Sequence, residues 1–195
     1  MRYRFAGFFC LFLFTIACNT NRPAKKPDNQ PPVADTGKFY PLSDFFKEQI
    51  RYVDLHDFPI YRITVKNGRK DSSSITKDTF AAIAAGFLRR AISEPDQKIL
   101  YKESVFEDLS TASVTFNYTT AAPDALVQNI DVLLSEQTKM VKRVFIRSSY
   151  KLGDTTVQEQ YNWKANKSFQ ISQTMSTANG YQSTVFNFVN WNDRP

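Results

Sequence analysis

The sequence predicts an α+β fold in which two N-terminal helices pack on one long, curved antiparallel β-meander of about six to eight strands. Apolar residues repeat at helical spacing in two segments before residue 93, and they alternate with polar residues from about residue 99 onward. Short turn-forming breaks separate the alternating segments, which implies antiparallel neighbours because parallel strands need a long crossover. We expect a single α+β domain over residues 39–195, long enough to bury a core.

The first helix is predicted over residues 42–55. Its apolar residues form one stripe, made by Leu42, Phe46, Ile50 and Val53. Ser43 is the expected N-terminal cap. Pro59 ends the helical pattern, because proline disfavours helical backbone in the residue before it.

A β-hairpin is predicted next. Residues 60–66 alternate in polarity and lead into Asn67-Gly68, a pair that supports a type I′ turn. The returning strand over residues 69–75 is polar and rich in serine, so we expect it at a sheet edge or in solvent.

The second helix is predicted over residues 77–92, with Thr76 as its N-terminal cap. Its apolar side is made by Phe80, Ile83, Ala84, Phe87, Leu88 and Ile92. Arg89 and Arg90 fall in the last turn, where positive charge complements the helix dipole.

Alternating segments account for the rest of the chain, with strands predicted at 100–108, 112–119, 126–135, 140–151, 155–164, 168–176 and 181–191. The segment 140–151 is apolar on both faces, with Met140, Val144 and Ile146 on one and Val141 and Phe145 on the other. A strand of this kind is covered on both faces. We expect the helices to cover one face and the curvature of the sheet to close the other over a core or a cavity.

The N-terminus reads MRYRFAGFFCLFLFTIAC. Its apolar run over residues 5–17 is shorter than the roughly 20 residues of a membrane-spanning helix and has the length found in secretory signals. The ending Thr15-Ile16-Ala17-Cys18 resembles the lipobox of bacterial lipoproteins. This resemblance implies a signal peptide over residues 1–17, a diacylglycerol on Cys18 and a lipid-anchored mature chain. An ordinary secretory signal and an uncleaved anchor helix are the alternatives.

Residues 18–38 follow as the lipidated cysteine and a flexible tether, since they are rich in proline and contain few apolar side chains. Where an aspartate follows the cysteine, some lipoprotein families are retained at the inner membrane. Asn19 stands there in this chain, which implies an outer-membrane protein that faces the periplasm. The stretch from Tyr161 to Phe169 also resembles uncharacterised envelope lipoproteins of Bacteroidota-type organisms, for which no activity is implied.

Composition excludes several classes of function. With two cysteines and one histidine among 195 residues, the chain supports neither a disulfide framework nor a multi-histidine metal site. There is no nucleophile elbow, no glycine-rich phosphate loop and no calcium loop. We therefore predict no catalytic residue, no metal, no cofactor and no nucleic-acid partner.

Four residues are candidates for facing a ligand. Glu159 shares a predicted strand face with Tyr161 and Trp163, and an acid beside two aromatic rings is common in sugar sites. Phe145 lies among basic residues on another strand. A carbohydrate-active enzyme, which needs only a pair of carboxylates, is the enzymatic alternative.

The main functional hypothesis is a membrane-anchored, non-catalytic module that binds or carries an apolar or amphiphilic ligand. The predicted layout is similar to that of the lipoprotein-localisation carriers, which hold acyl chains in a half-barrel. The alternative is a structural or protein-interaction lipoprotein, an accessory subunit of an envelope complex. That alternative predicts an exposed apolar patch or an open strand edge that a partner covers.

Overall fold

The computed structural model describes residues 39–92 and 99–193, all within one compact unit. The predicted signal peptide, the lipidation site Cys18 and the predicted tether lie outside the described residues. Where the chain is described, its elements are α1 (Leu42–Leu55), β1 (Tyr61–Lys66), β2 (Arg69–Ser74), α2 (Lys77–Leu88), β3 (Tyr101–Asp108), β4 (Ser113–Thr120), β5 (Val127–Ser135), β6 (Val141–Leu152), β7 (Thr155–Lys164), β8 (Ser168–Thr177) and β9 (Gln182–Asn190).

The strands form one antiparallel sheet with the order β2-β1-β9-β8-β7-β6-β5-β4-β3. The α+β class, the two helices and the antiparallel meander are confirmed. The predicted number of six to eight strands is wrong, because the described sheet has nine strands. The helices also do not form an N-terminal block, since the β1–β2 hairpin separates them and joins the sheet beside β9.

Helix ends differ from the predictions at two places. Pro41 precedes α1, and Ser43 lies inside the helix and does not cap it. The backbone N–H of Thr79 donates to Thr76 Oγ1 at 3.2 Å, so the predicted cap of α2 is confirmed. The helix ends at Leu88, four residues earlier than expected, and continues as a turn through Arg89 and Arg90.

The core lies between the two helices and one face of the sheet. Its centre is Trp163 on β7, whose ring centroid is 4.8 Å from that of Phe87 on α2 and 5.4 Å from that of Phe46 on α1. Phe169 on β8 packs 5.0 Å from the same ring. All four side chains are fully buried, so aromatic packing joins both helices to the middle of the sheet.

Gln49 connects α1 to the turn between β7 and β8 through side-chain hydrogen bonds. Its Oε1 accepts from Trp163 Nε1 at 3.1 Å and from the backbone N–H of Asn166 at 2.7 Å. Its Nε2 donates to Asn166 Oδ1 at 2.8 Å. The amide therefore satisfies the polar edge of the central tryptophan.

A β-bulge in β6 corrects the expected assignment of its two faces. Arg143 pairs with Leu133, but Val141 pairs with Leu134, so Lys142 is the extra residue. The bulge brings Val141 into the same core as Val144, and Met140 is exposed outside the strand. Phe145 is the one large apolar side chain of this strand on the opposite face among the described residues, and it is 36% exposed.

Candidate functional site

The polar centre of the molecule is a buried ion pair between Arg90, just beyond α2, and Glu159, in the middle of β7. Their side chains are 8% and 4% exposed. Arg90 Nε donates to Glu159 Oε2 at 2.9 Å and to Ser148 Oγ at 3.0 Å. Its Nη1 donates to the carbonyl oxygen of Gly86 at 3.0 Å.

Both oxygens of the Glu159 carboxylate are occupied by donors from the protein. Oε2 also accepts from Arg90 Nη2 and from Ser148 Oγ, the latter at 2.8 Å. Oε1 accepts from Gln173 Nε2 at 3.0 Å. A carboxylate held in this way cannot exchange a proton with a substrate unless the ion pair breaks. The arrangement therefore suits a structural connection between α2 and the sheet.

Tyr161 contacts the ion pair from the next position on the same face of β7, two residues after Glu159. The Arg90 guanidinium carbon lies 4.3 Å from the centroid of its ring, which is a cation–π contact. Burial raises the pKa of Tyr161 to about 12, and the positive charge of Arg90 opposes that shift. The phenol thus stays protonated over the physiological pH range.

The structure brings together three of the four predicted ligand-facing residues. Glu159, Tyr161 and Trp163 lie on the helix-covered face of β7 and are buried against other side chains of the protein. Phe145 does not join them, because it lies on the opposite face of the sheet, paired with Asn162.

A small cleft of about 150 Å³ opens beside the ion pair, at the C-terminal end of α2. Its lining combines two arginines with apolar and small residues: Arg89, Arg90, Ala91, Ile92, Leu100, Tyr101, Ala125, Leu126 and Val127. Arg90 is held by Glu159, whereas Arg89 is exposed and has no side-chain partner in the described part of the chain. The cleft is thus apolar inside and cationic at its rim.

A second cleft, of about 370 Å³, lies at the turns that follow β6 and β8 and is lined by polar residues that include Lys151, Asp154 and Thr156. None of the four predicted ligand-facing residues lines either of these two clefts. Sequence reasoning thus found the polar position on β7 but missed both depressions.

The two edges of the sheet differ in chemistry. β2, at one edge, has only charged residues and serines, all of them exposed: Arg69, Lys70, Asp71, Ser72, Ser73 and Ser74. Charged side chains on an edge strand discourage pairing with other chains. β3, at the other edge, includes Val105 and Phe106, which are 49% and 60% exposed.

Exposed apolar residues are concentrated at this β3 edge. Of the twelve large hydrophobic side chains that are exposed in the described ranges, five lie within residues 99–109: Ile99, Leu100, Val105, Phe106 and Leu109. We call these five residues the β3 apolar edge. Val105 pairs with Phe116 on the core side and Phe106 pairs with Thr115 on the other, so both faces are apolar. Since α1 and α2 pack on the middle of the sheet, this edge has no helix over it in the described part of the chain.

Besides the two clefts, two further features were not predicted from the sequence: the buried role of Arg90 and the exposed edge at β3. The sequence predicts Arg90 only as a positive charge at a helix end, but Arg90 lies three residues after Phe87, and this spacing places it on the apolar stripe. The first strand of a meander lies at an edge of the sheet unless another element pairs with it. This rule would have identified β3 as an edge strand.

Neither helix in the described ranges has the length and apolar character needed to cross a membrane. Within the same ranges, no three histidine, cysteine or acidic side chains gather as a metal site requires. Comparisons with protein-family models, with curated proteins and with solved structures find no match to this chain.

Proposed function

We propose that this chain is a lipid-anchored, non-catalytic binding module of the cell envelope. The lipobox-like ending at Cys18 supports attachment to a membrane, and Asn19 after it supports the outer membrane on its periplasmic side. The proline-rich segment over residues 18–38 would then space the folded domain from the membrane surface.

Of the two binding modes that the sequence left open, we favour a protein partner. The observation that supports it is the β3 apolar edge, because five exposed hydrophobic side chains lie on or next to a strand whose outer side pairs with no strand of the described sheet. Soluble proteins rarely leave such an edge open without a function, since it invites uncontrolled strand pairing. The opposite edge of the same sheet, β2, has only charged residues and serines, so it lacks the apolar side chains that a partner would cover.

Site-specific photo-cross-linking tests this proposal in the cells that produce the protein. A photoreactive amino acid replaces Phe106 in the full chain, and the matched control places it at Lys70 on the opposite edge. We expect a reproducible protein adduct from position 106 and none from position 70. Adducts at both positions, or none at position 106 under conditions where the chain is folded and membrane-bound, would contradict a dedicated partner surface.

An amphiphilic ligand is the second candidate, and the cleft beside Arg89 favours it. Apolar walls with a cation at the rim match an anionic headgroup joined to a short apolar chain. The volume of about 150 Å³ is below the roughly 300–1,000 Å³ of common ligand pockets, so the cleft would hold only a small part of a lipid. Native mass spectrometry of the full chain tests it: a co-purifying acyl-sized mass that Arg89→Glu abolishes supports this mode, and a ligand-free mass opposes it.

The carbohydrate-active alternative has less support from the geometry. A glycosidase needs one carboxylic acid and one carboxylate that are free to reach the sugar. Glu159, the acid that motivated this hypothesis, is committed to Arg90, Ser148 and Gln173. We therefore propose a protein without catalytic activity.

A further inference from the structure

We propose that the β3 edge accepts an extended, cationic segment of a partner protein as a tenth strand. This inference rests on the proposed function, a protein-interaction module, and it specifies how the partner binds and what chemistry its segment has. Three features of β3 support it: the side of its backbone that pairs with no described strand, the charges of its side chains, and the apolar residues on and next to it.

The backbone of β3 offers a full-length template. The strand has eight residues, and all eight pair with β4 on one side. The other side has no strand partner in the described sheet. Strand addition would use the free N–H and C=O groups on that side, and main-chain hydrogen bonds supply much of the affinity in this binding mode.

The side chains of β3 select for positive charge. Lys102 is its one cation, whereas Glu103, Glu107 and Asp108 are acidic, which gives the strand a formal charge of −2 in a chain whose formal charge is +6. Glu103 and Glu107 lie on the same face and flank Val105. A partner with Lys or Arg opposite the two glutamates and an apolar residue opposite Val105 would complement this face, because opposite charges across strands attract.

The same charges disfavour a second copy of β3 as the occupant. Antiparallel self-pairing centred on Val105 would place Glu103 directly across from Glu107 twice, and like charges directly opposite each other are destabilising. The β2 edge of a second copy has cations at Arg69 and Lys70, but its serines offer nothing to cover Val105 and Phe106. A different, cationic and partly apolar segment fits the edge better than either.

The test uses the full chain in detergent micelles and hydrogen exchange read by mass spectrometry. The probe is an eight-residue synthetic peptide, capped at both ends, with two lysines four positions apart, a valine midway between them and threonine at the remaining positions, so that the lysines and the valine share one face. A control peptide keeps the lysines but has proline in place of each valine and threonine, so it cannot form a strand. We expect the probe, and not the control peptide, to slow exchange over residues 101–108, with no change over residues 69–74.

Two matched variants separate specific from general electrostatic attraction. Glu107→Lys and Asp71→Lys make the same charge change at exposed positions on opposite edges. We expect Glu107→Lys to lower the affinity of the probe at least about fivefold, since a cross-strand attraction becomes a repulsion. Asp71→Lys is expected to leave that affinity unchanged.

Three outcomes would overturn the inference: no protection of β3, equal protection by the proline peptide, or concentration-dependent protection of β3 and β2 without peptide, which would indicate head-to-tail copies. Failure here is distinguishable from failure of the proposed function. If position 106 still cross-links to a reproducible partner, the module binds protein but does not add a strand.

Discussion

Arg90 and Glu159, which are 69 residues apart in the sequence, form a buried ion pair that joins the end of α2 to the centre of the sheet. Breaking such a pair from one side leaves a buried charge without its partner, which costs about 3–5 kcal/mol. Replacing both partners with apolar residues is often neutral or stabilising. We therefore expect a variant that lacks one partner of the pair to be less stable than a variant in which both partners are replaced.

We expect Glu159→Leu to lower the free energy of unfolding by about 3–5 kcal/mol, since the Arg90 charge remains buried. The double variant Arg90→Met/Glu159→Leu is expected to recover most of this loss. Urea denaturation of both variants measures the difference. If the double variant is as unstable as the single one, the loss comes from packing and not from the unpaired charge.

Gly86 lies within α2, and we expect that its replacement by alanine does not stabilise the protein as it usually does in a helix. Alanine is favoured over glycine in helices by about 1 kcal/mol, but a Cβ here would lie 3.1 Å from Tyr161 Cε1. The Tyr161 ring is held between Arg90 and Phe87, so it cannot move aside freely. We expect Gly86→Ala to be destabilising in the native protein and stabilising by about 1 kcal/mol in a Tyr161→Leu background. Thermal melts of the four proteins test this, and the same sign in both backgrounds would contradict it.

Alkaline pH should weaken the fold through its buried tyrosines. Burial raises the pKa of Tyr161 from the ordinary tyrosine value of 10.0 to about 12, and burial also raises the pKa of Tyr118. The native state therefore retains these protons after the unfolded state has released them, and stability present below pH 10 falls as the pH rises towards the native pKa. Urea midpoints measured from pH 9 to pH 12 should show this decline, and Tyr161→Phe should reduce its slope by up to about 1.4 kcal/mol per pH unit. An unchanged slope would mean that Tyr161 titrates normally.

Membrane attachment is expected to depend on Cys18 and not on Cys10. Cys10 lies within the predicted signal and would be removed with it, so Cys10→Ser is a matched control. We expect Cys18→Ser to lose the lipid mass on its N-terminal peptide and to leave the membrane fraction. Mass spectrometry and fractionation give the answer, and a Cys18→Ser protein that remains membrane-bound would contradict the lipoprotein interpretation.

Local patterns predicted most of the secondary structure correctly. The bounds of α1 agree at both ends, and Asn67 and Gly68 both adopt the positive φ that the predicted hairpin turn requires. These features depend on residues close in sequence. The meander also followed from its short connections, since they allow few arrangements.

Features that depend on distant residues were not predictable. The bulge at Lys142 shifts Val141 to the core side, and it is visible only in the pairing with β5. The location of β1 beside β9, which raises the strand count, depends on contacts between residues more than a hundred positions apart, such as Thr64 Oγ1 with Asn187 Oδ1 at 2.9 Å. The face of Glu159 was predicted, but its partner Arg90 came from another element.

The position of β9 between β8 and β1 has a consequence for the order in which the protein folds. The β1–β2 hairpin and the β3–β8 ribbon can each form from neighbouring segments, but only β9 joins them into one sheet. Closing that connection spans more than a hundred residues, and long-range closure of this kind is slow. The nine-stranded sheet therefore cannot be completed until residues 182–190, near the end of the chain, have been synthesised.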